Sequence, residues 1–149
     1  MTPETEALLF CASRAQLVRE VILPAISGGQ VVICDRFSDS TTVYQGVGRK
    51  IDPGRVAMIN AFAIDDCLPD LTLVIDLDPR IGLERASGRE LFDRMENQSL
   101  RFYERVRQGY LDLARREPQR VKVIDGSQSI KAVGKQIWEL VRNVLQRSA

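Results

Sequence analysis

The sequence predicts an α/β fold, a three-layer arrangement in which a parallel sheet carries helices on both faces. Three observations lead there. Short β-branched apolar runs occur at Val31-Val32-Ile33-Cys34, Leu71-Thr72-Leu73-Val74-Ile75-Asp76-Leu77 and Val121-Lys122-Val123-Ile124-Asp125. Amphipathic helical patterns separate them, and Asp-Pro helix starts recur at Asp52-Pro53 and Asp78-Pro79. Strands that alternate with helices pair in parallel, and their sheet is covered on both faces, which suits runs without polar alternation.

Each element has its own local reason. Thr2 can cap a first helix with Pro3 at its opening position, and Glu4 and Glu6 lie near the positive end of its dipole. Leu8, Cys11, Ala15, Val18 and Ile22 then recur at helical spacing, and Pro24 with Ser27-Gly28-Gly29 ends the run. The run at 31–34 follows as a strand. Asp52-Pro53 starts a helix through about Cys67, the second strand lies at 71–77, and Asp78-Pro79 starts the helix containing Ile81-Gly82-Leu83-Glu84-Arg85. A longer helix runs from about Met95 to Arg116 with Leu100, Tyr103, Val106, Tyr110 and Leu113 in one stripe, and Pro118 marks its stop. After the strand at 121–125, Ile130, Val133, Ile137, Leu140, Val141 and Val144 share one side of a last helix that reaches about Gln146. Between the helical patterns, Ala86-Ser87-Gly88-Arg89-Glu90-Leu91-Phe92-Asp93-Arg94 is polar, glycine-containing and dense in charge. It reads as a lid at 86–94, or as a solvated loop between helices.

Composition narrows the chemistry. The 149 residues suit a single domain, 1–149, with 44% hydrophobic and 28% charged residues. Lys and Arg number 21 against 20 acidic residues, so no global field favours a nucleic-acid backbone or a lipid surface. Histidine is absent, which removes Ser-His-Asp triads, Cys-His pairs and the common zinc sites. Cys11, Cys34 and Cys67 are odd in number and scattered, which suggests neither a disulfide framework nor a zinc cluster and fits a reducing, cytoplasmic setting. The apolar stretches are too short and interrupted for a membrane span.

The chemistry-bearing residues gather at the end of the first apolar run. Asp35-Arg36-Phe37 and the loop Ser40-Thr41-Thr42-Val43-Tyr44-Gln45-Gly46 to Gly48-Arg49 follow it directly, at the usual ligand edge of an α/β sheet. Asp35 can orient waters of a Mg²⁺ ion bridging phosphates, and Arg36 can grip a phosphate through two parallel hydrogen bonds. A salt bridge or loop cap would use the same pair. Thr41 can bond a base edge, and Tyr44 can stack beside a sugar and exclude an extra hydroxyl. Phe10 and Arg14 stand four residues apart on one helix face, where a ring and a guanidinium can share a pocket for a flat base. Taken singly, Phe10 reads as core and Arg14 as a surface charge. Arg85, Arg89 and Arg94 can swing over transferring phosphates, where developing charge needs cations; otherwise they are solvated helix-end charges.

Thr5-Glu6-Ala7-Leu8-Leu9-Phe10 with Ser13-Arg14-Ala15-Gln16, Asp35-Arg36-Phe37, Tyr44-Gln45-Gly46-Val47-Gly48-Arg49, Pro69-Asp70-Leu71-Thr72-Leu73, Gly88-Arg89-Glu90-Leu91 and Asp93-Arg94 together resemble thymidylate kinase of the bacterial type. The likeness runs in order over nearly the whole chain. It implies transfer of the ATP γ-phosphoryl group to dTMP, giving dTDP, with Mg²⁺, on the fold of the P-loop nucleoside monophosphate kinases. It also implies roles: Phe10 stacks on thymine, Arg14 bonds its edge and Thr41 touches the base. Arg36 holds the monophosphate, Tyr44 favours deoxyribose with Gln45 beside it, and Asp35 reaches the metal through water. Arg89 is the lid arginine supported by Arg85 and Arg94, Gly126 and Ser127 lie near the ATP adenine, and the enzyme is a homodimer that pairs through helices including the first.

One part of the family pattern has no counterpart. The G-x-x-x-x-G-K-[ST] loop that cradles ATP phosphates is missing; the only Gly-Lys pair, Gly134-Lys135, precedes Gln136 inside a helical pattern. In the family's strand order the first strand lies between those matching 31–34 and 71–77, so both edges are expected to lack a neighbour. The chain is then expected to bind dTMP weakly and to turn over ATP poorly or not at all. A non-catalytic nucleotide-binding or dimerisation module, or a kinase for another deoxynucleotide, are the competing readings.

Overall fold

In a computed structural model of the chain, residues 1–87 and 99–147 are described. They divide into two compact units, Met1–Leu68 and Pro69–Ala149.

The first unit is helical. Thr2 Oγ1 accepts the Thr5 amide at 3.3 Å, Pro3 opens helix α1 (Pro3–Leu17), and the helical path continues through a π-helical turn (Val18–Ile22) into α2 (Leu23–Ser27). Pro24 therefore lies inside the run. A proline ring clashes with the carbonyl four residues back, and the widened turn just before it shifts bonding to five residues, as in the Leu23 amide to Val18 oxygen bond. Ala7, Cys11, Val18 and Ile22 are buried, whereas Leu8, expected in the core, is exposed beside Leu9 and Phe10. A short helix α3 (Ser38–Thr41) runs into a second π-helical segment (Thr42–Gly48), and α4 (Pro53–Ile64) follows, capped by Asp52 Oδ1 accepting the Arg55 amide at 2.9 Å. α4 stops three residues before Cys67, because Asp65 takes a left-handed φ of 54° that breaks the helix. Val56, Ala63 and Ile64 join Val43 and the α1 residues in this unit's core.

The strand expected at 31–34 does not form. Its residues have no ladder partner among the described residues, and Ile33 is 92% exposed. A strand is defined by its neighbour: without one, its amides bond water and its β-branched side chains have no sheet face to bury against.

The second unit holds the sheet. β1 (Thr72–Asp76) pairs in parallel with β2 (Val121–Asp125), in the register Thr72↔Val121 to Asp76↔Asp125. With one neighbour each, these strands are not buried on both faces as expected: Ile75 and Val123 are exposed, while Val121 and Ile124 are buried. α5 (Pro79–Ser87) starts at Asp78, whose Oδ1 accepts the Arg80 amide at 2.8 Å. α6 (Leu100–Arg116) follows Ser99, and the expected start at Met95 lies outside the described residues. It buries Phe102, Val106, Gly109 and Leu113; of the expected stripe, Leu100, Tyr103 and Tyr110 are only half-buried. α7 (Ile130–Arg147) half-buries Val133, Ile137, Leu140, Val141 and Val144, with Ile130 exposed at its start and Gly134-Lys135 on its surface.

Candidate functional site

The residues singled out around the 35–49 loop fall within the first unit. Asp35 and Arg36 are both exposed, and Arg36 adopts a left-handed φ of 67°. Such a backbone is costly for a long side chain and persists only where the surroundings impose it, a pattern concentrated at ligand sites. Here it carries the guanidinium over the Tyr44 ring, 4.8 Å from its centroid, so a cation and a ring already share one face of the loop. Tyr44 is half-buried.

Arg14 reaches the same loop from α1. Its Nη2 donates to the Phe37 carbonyl at 3.1 Å, its Nη1 donates to Asn60 Oδ1 at 3.2 Å, and its guanidinium lies 5.5 Å from the Phe37 ring centroid. Burial pulls its pKa down from the usual arginine value, opposed by the nearby Cys11 and Asp39. An arginine stays protonated under such a shift, so its donors remain fixed in number and direction. Phe10, one turn earlier on α1, is exposed, leaving its ring open to a flat partner. Cys11 lies between them; its thiol donates to Asn60 Oδ1 at 3.7 Å and its pKa is raised by burial.

Thr41 and Gln45 sit differently. Thr41 is buried, and Gln45, 2% exposed, donates through Nε2 to Glu6 Oε1 at 3.1 Å. Arg49 bonds the same carboxylate through Nε and Nη2, each at 3.3 Å. The loop is thus clipped to α1 by Glu6 and to α4 by Asn60, whose Nδ2 donates to the Ser38 carbonyl and to Thr42 Oγ1, both at 3.0 Å. The sequence reasoning singled out neither for a site. Asn60 stands amid the apolar Ile59-Asn60-Ala61-Phe62-Ala63-Ile64, and a polar residue on a buried helix face must have partners, which was the available signal.

Other expected residues lie in the second unit or outside the described residues. Arg85 is exposed in the last turn of α5. Arg89 and Arg94, with most of the lid at 86–94, fall among residues 88–98, outside the described residues. Gly126 and Ser127 form the turn after β2: the Gly126 amide donates to the Asp76 carbonyl at 2.7 Å, and Asp125 Oδ1 accepts from the Ser127 amide and hydroxyl at 2.9 and 2.6 Å. Those bonds lower the Asp125 pKa. Asp76 at the end of β1 accepts from Arg107 Nε and Nη2 at 2.6 and 2.8 Å, which holds its carboxyl below the usual range. A groove of about 820 Å³ in this unit runs between Leu111, Val121, Val123 and Leu140; among the described residues, none of the expected site residues lines it.

Among the described residues, no cluster of three acidic, histidine or cysteine side chains can enclose a metal. No helix is long and apolar enough to cross a membrane.

A family model described as thymidylate kinase matches residues 1–137. Thymidylate kinase of Symbiobacterium thermophilum is 50% identical over 147 residues, covering 99% of this chain and 68% of that protein. The Geobacter sulfurreducens enzyme is 45% identical over 153 residues, covering 99% and 72%. The crystal structure of thymidylate kinase from Ehrlichia chaffeensis aligns with a TM-score of 0.71 at 33% identity, covering 95% of this chain and 65% of that one.

Proposed function

The chain belongs to the thymidylate kinase family, and from that premise we propose that it carries the dTMP side of a phosphoryl transfer from ATP to dTMP. The observation that supports this best is the pair of arginines oriented at one loop, Arg14 from α1 bonded to the Phe37 carbonyl and Arg36 over Tyr44. Phe10 stacks on the thymine, Arg14 bonds the base edge, and Arg36 holds the monophosphate. Tyr44 packs against the deoxyribose and leaves no room for a 2′-hydroxyl. Thr41 and Gln45 shape the pocket wall, where their burial makes them rigid. Arg85, Arg89 and Arg94 bring positive charge to the transferring group, and Gly126 and Ser127 border the adenine.

Mg²⁺ suits Asp35. The ion keeps several waters and takes one or two protein carboxylates beside substrate phosphates, and Asp35 is a single exposed carboxylate on the arginine-bearing loop. The metal would neutralise phosphate charge, and Asp35 would orient its waters.

The reaction then rests on positioning and charge, with no side chain acting as a covalent nucleophile. We also place the protein in the cytoplasm as a homodimer that pairs through α1 and its neighbours, where Leu8, Leu9, Met58 and Phe62 are exposed. A coupled assay of dTMP, dUMP and dGMP with ATP and Mg²⁺, run beside binding titrations of each nucleotide, tests the reading. Saturable dTMP binding that exceeds dUMP and dGMP binding supports it. A preference for dGMP, or no nucleotide binding, overturns it, and dTMP binding without dTDP formation identifies a chain that holds the acceptor alone.

A further inference from the structure

We propose that Asn60 is a positioning residue that sets base specificity by locking the Arg14 guanidinium. This rests on the reading of Arg14 as the group that meets the base edge. Asn60 lies on the buried face of α4 and is 6% exposed. Its carboxamide is used completely. Oδ1 accepts from Arg14 Nη1 at 3.2 Å and from Cys11 Sγ at 3.7 Å, while Nδ2 donates to the Ser38 carbonyl and to Thr42 Oγ1 at 3.0 Å each. An amide offers two lone pairs and two hydrogens, so no capacity remains.

The arrangement also forbids the flipped amide. Turned over, NH₂ would face the Arg14 donors and the oxygen would face the Ser38 carbonyl, two like-against-like contacts in a buried site. Asn60 therefore has one orientation, and its Oδ1 is a fixed acceptor for Arg14 Nη1, which also donates to Cys11 Sγ at 3.8 Å. With the Phe37 carbonyl on its other nitrogen at 3.1 Å, the guanidinium plane is held at two points by groups from two different segments.

Arginine only donates. Held in place, its free N–H groups suit the O4 acceptor of thymine and oppose the N4 amino group of cytosine at the same ring position. A guanidinium that rotates freely could swing away from the amino group and admit either base. Asn60 thus governs the ratio of dTMP to dCMP affinity while touching neither nucleotide.

The test is a titration of the full chain with dTMP and with dCMP, followed by NMR shifts so that weak binding is measurable, for the parent, Asn60→Leu, Asn60→Ser and Asn60→Asp. Leu fills the site with no acceptor, and Ser is too short to reach Arg14, so that if Leu impairs folding Ser carries the same test. In both, the dTMP-to-dCMP affinity ratio is expected to fall about tenfold, the scale of one charge-assisted hydrogen bond to the base. Asn60→Asp keeps the acceptor for Arg14 but loses the donors to Ser38 and Thr42, so affinity falls for both nucleotides and the ratio is retained. A merely structural role would lower both affinities alike in every variant. In an Arg14→Gln background, Asn60→Ser should leave the ratio unchanged, because the group it acts through is gone. A parent that prefers dTMP, with Leu and Ser variants that keep the parental ratio, overturns the role of Asn60 alone. A parent with no preference between dTMP and dCMP overturns the base-edge role of Arg14, and this inference with it.

Discussion

Replacing Glu6 with alanine should destabilise the protein by about 2–4 kcal/mol, because this buried carboxylate holds two chain segments together. Its side chain is 10% exposed, and its carboxylate accepts from Gln45 Nε2 at 3.1 Å and from Arg49 Nε and Nη2 at 3.3 Å. Removing it strands the Gln45 amide in a buried position, a loss of about 1–3 kcal/mol. Breaking a buried ion pair by deleting one partner costs about 3–5 kcal/mol when the remaining charge is sealed from water. Arg49 is 20% exposed at its side chain, so part of that penalty is relieved by water, and the two losses overlap at one carboxylate rather than adding. At about 2–4 °C per kcal/mol for a chain of this size, the melting temperature should drop by about 5–15 °C. Glu6→Gln should fall between parent and alanine variant, since its amide oxygen still accepts from one donor. Urea unfolding at neutral pH with matched slopes gives the difference directly. A Glu6→Ala variant within about 0.5 kcal/mol of the parent, the range of ordinary surface substitutions, would refute the claim that this clip holds the loop.

Other perturbations follow from single contacts. A Cβ on Gly126 would lie 2.8 Å from Ile75 Cγ2 and 2.9 Å from the Asp76 carbonyl oxygen, so Gly126→Ala must displace backbone and should lower stability by about 1–3 kcal/mol in urea titrations. Ser38 Oγ is buried with no hydrogen-bond partner, so Ser38→Ala should be neutral or stabilising by calorimetry, against the usual sign for a polar deletion. Asp76 has its folded pKa below the unfolded value of 3.8 through Arg107, so its contribution is present above that value and is lost as pH falls through the lower folded one. Asp76→Asn should accordingly flatten the acid limb of a melting-temperature profile below about pH 4, leaving its shape above pH 5 unchanged. Cys11 is buried with a raised pKa and Cys34 is exposed, so timed iodoacetamide labelling read by mass spectrometry should modify Cys34 first and Cys11 last.

What could be read from the sequence divides along the line between local and non-local causes. Thr2-Pro3, Asp52-Pro53 and Asp78-Pro79 start helices where expected, since a cap needs only its own next few residues. The strand at 121–125 keeps its bounds, and that at 71–77 shortens by one residue at each end. The run at 31–34 has the same composition but no ladder, because pairing depends on a neighbour that no property of those four residues supplies. Along the first helix Cys11, Val18 and Ile22 are buried as expected, but Ala7 takes the place of Leu8, since periodicity gives a stripe but not which small residue admits the neighbouring helix. The clustering of Arg14, Arg36 and Tyr44 around one loop was legible from motif order. The groups beneath them were not: Glu6 read as a dipole-end charge and Asn60 only fell within the helix starting at Asp52-Pro53, and only tertiary placement turns either into a clip.

Those clips bear on why the loop is built with so much buried polarity. A core of apolar residues at positions 6, 45 and 60 would gain burial energy without the desolvation that Glu6, Gln45 and Asn60 incur. Apolar contacts are non-directional, however, and would leave the loop free to slide along α1 and α4. Each polar clip accepts only one register: the Asn60 amide is satisfied on all four valences, and the Glu6 carboxylate meets three donors from two residues four positions apart. That register fixes the Phe37 carbonyl that Arg14 meets from α1 and the Tyr44 ring that Arg36 covers, a gain in direction rather than in stability. The left-handed Arg36 is the local consequence, since its strain persists only because Phe37, Ser38 and Thr42 on its carboxyl side are bonded to α1 and α4 and cannot relax.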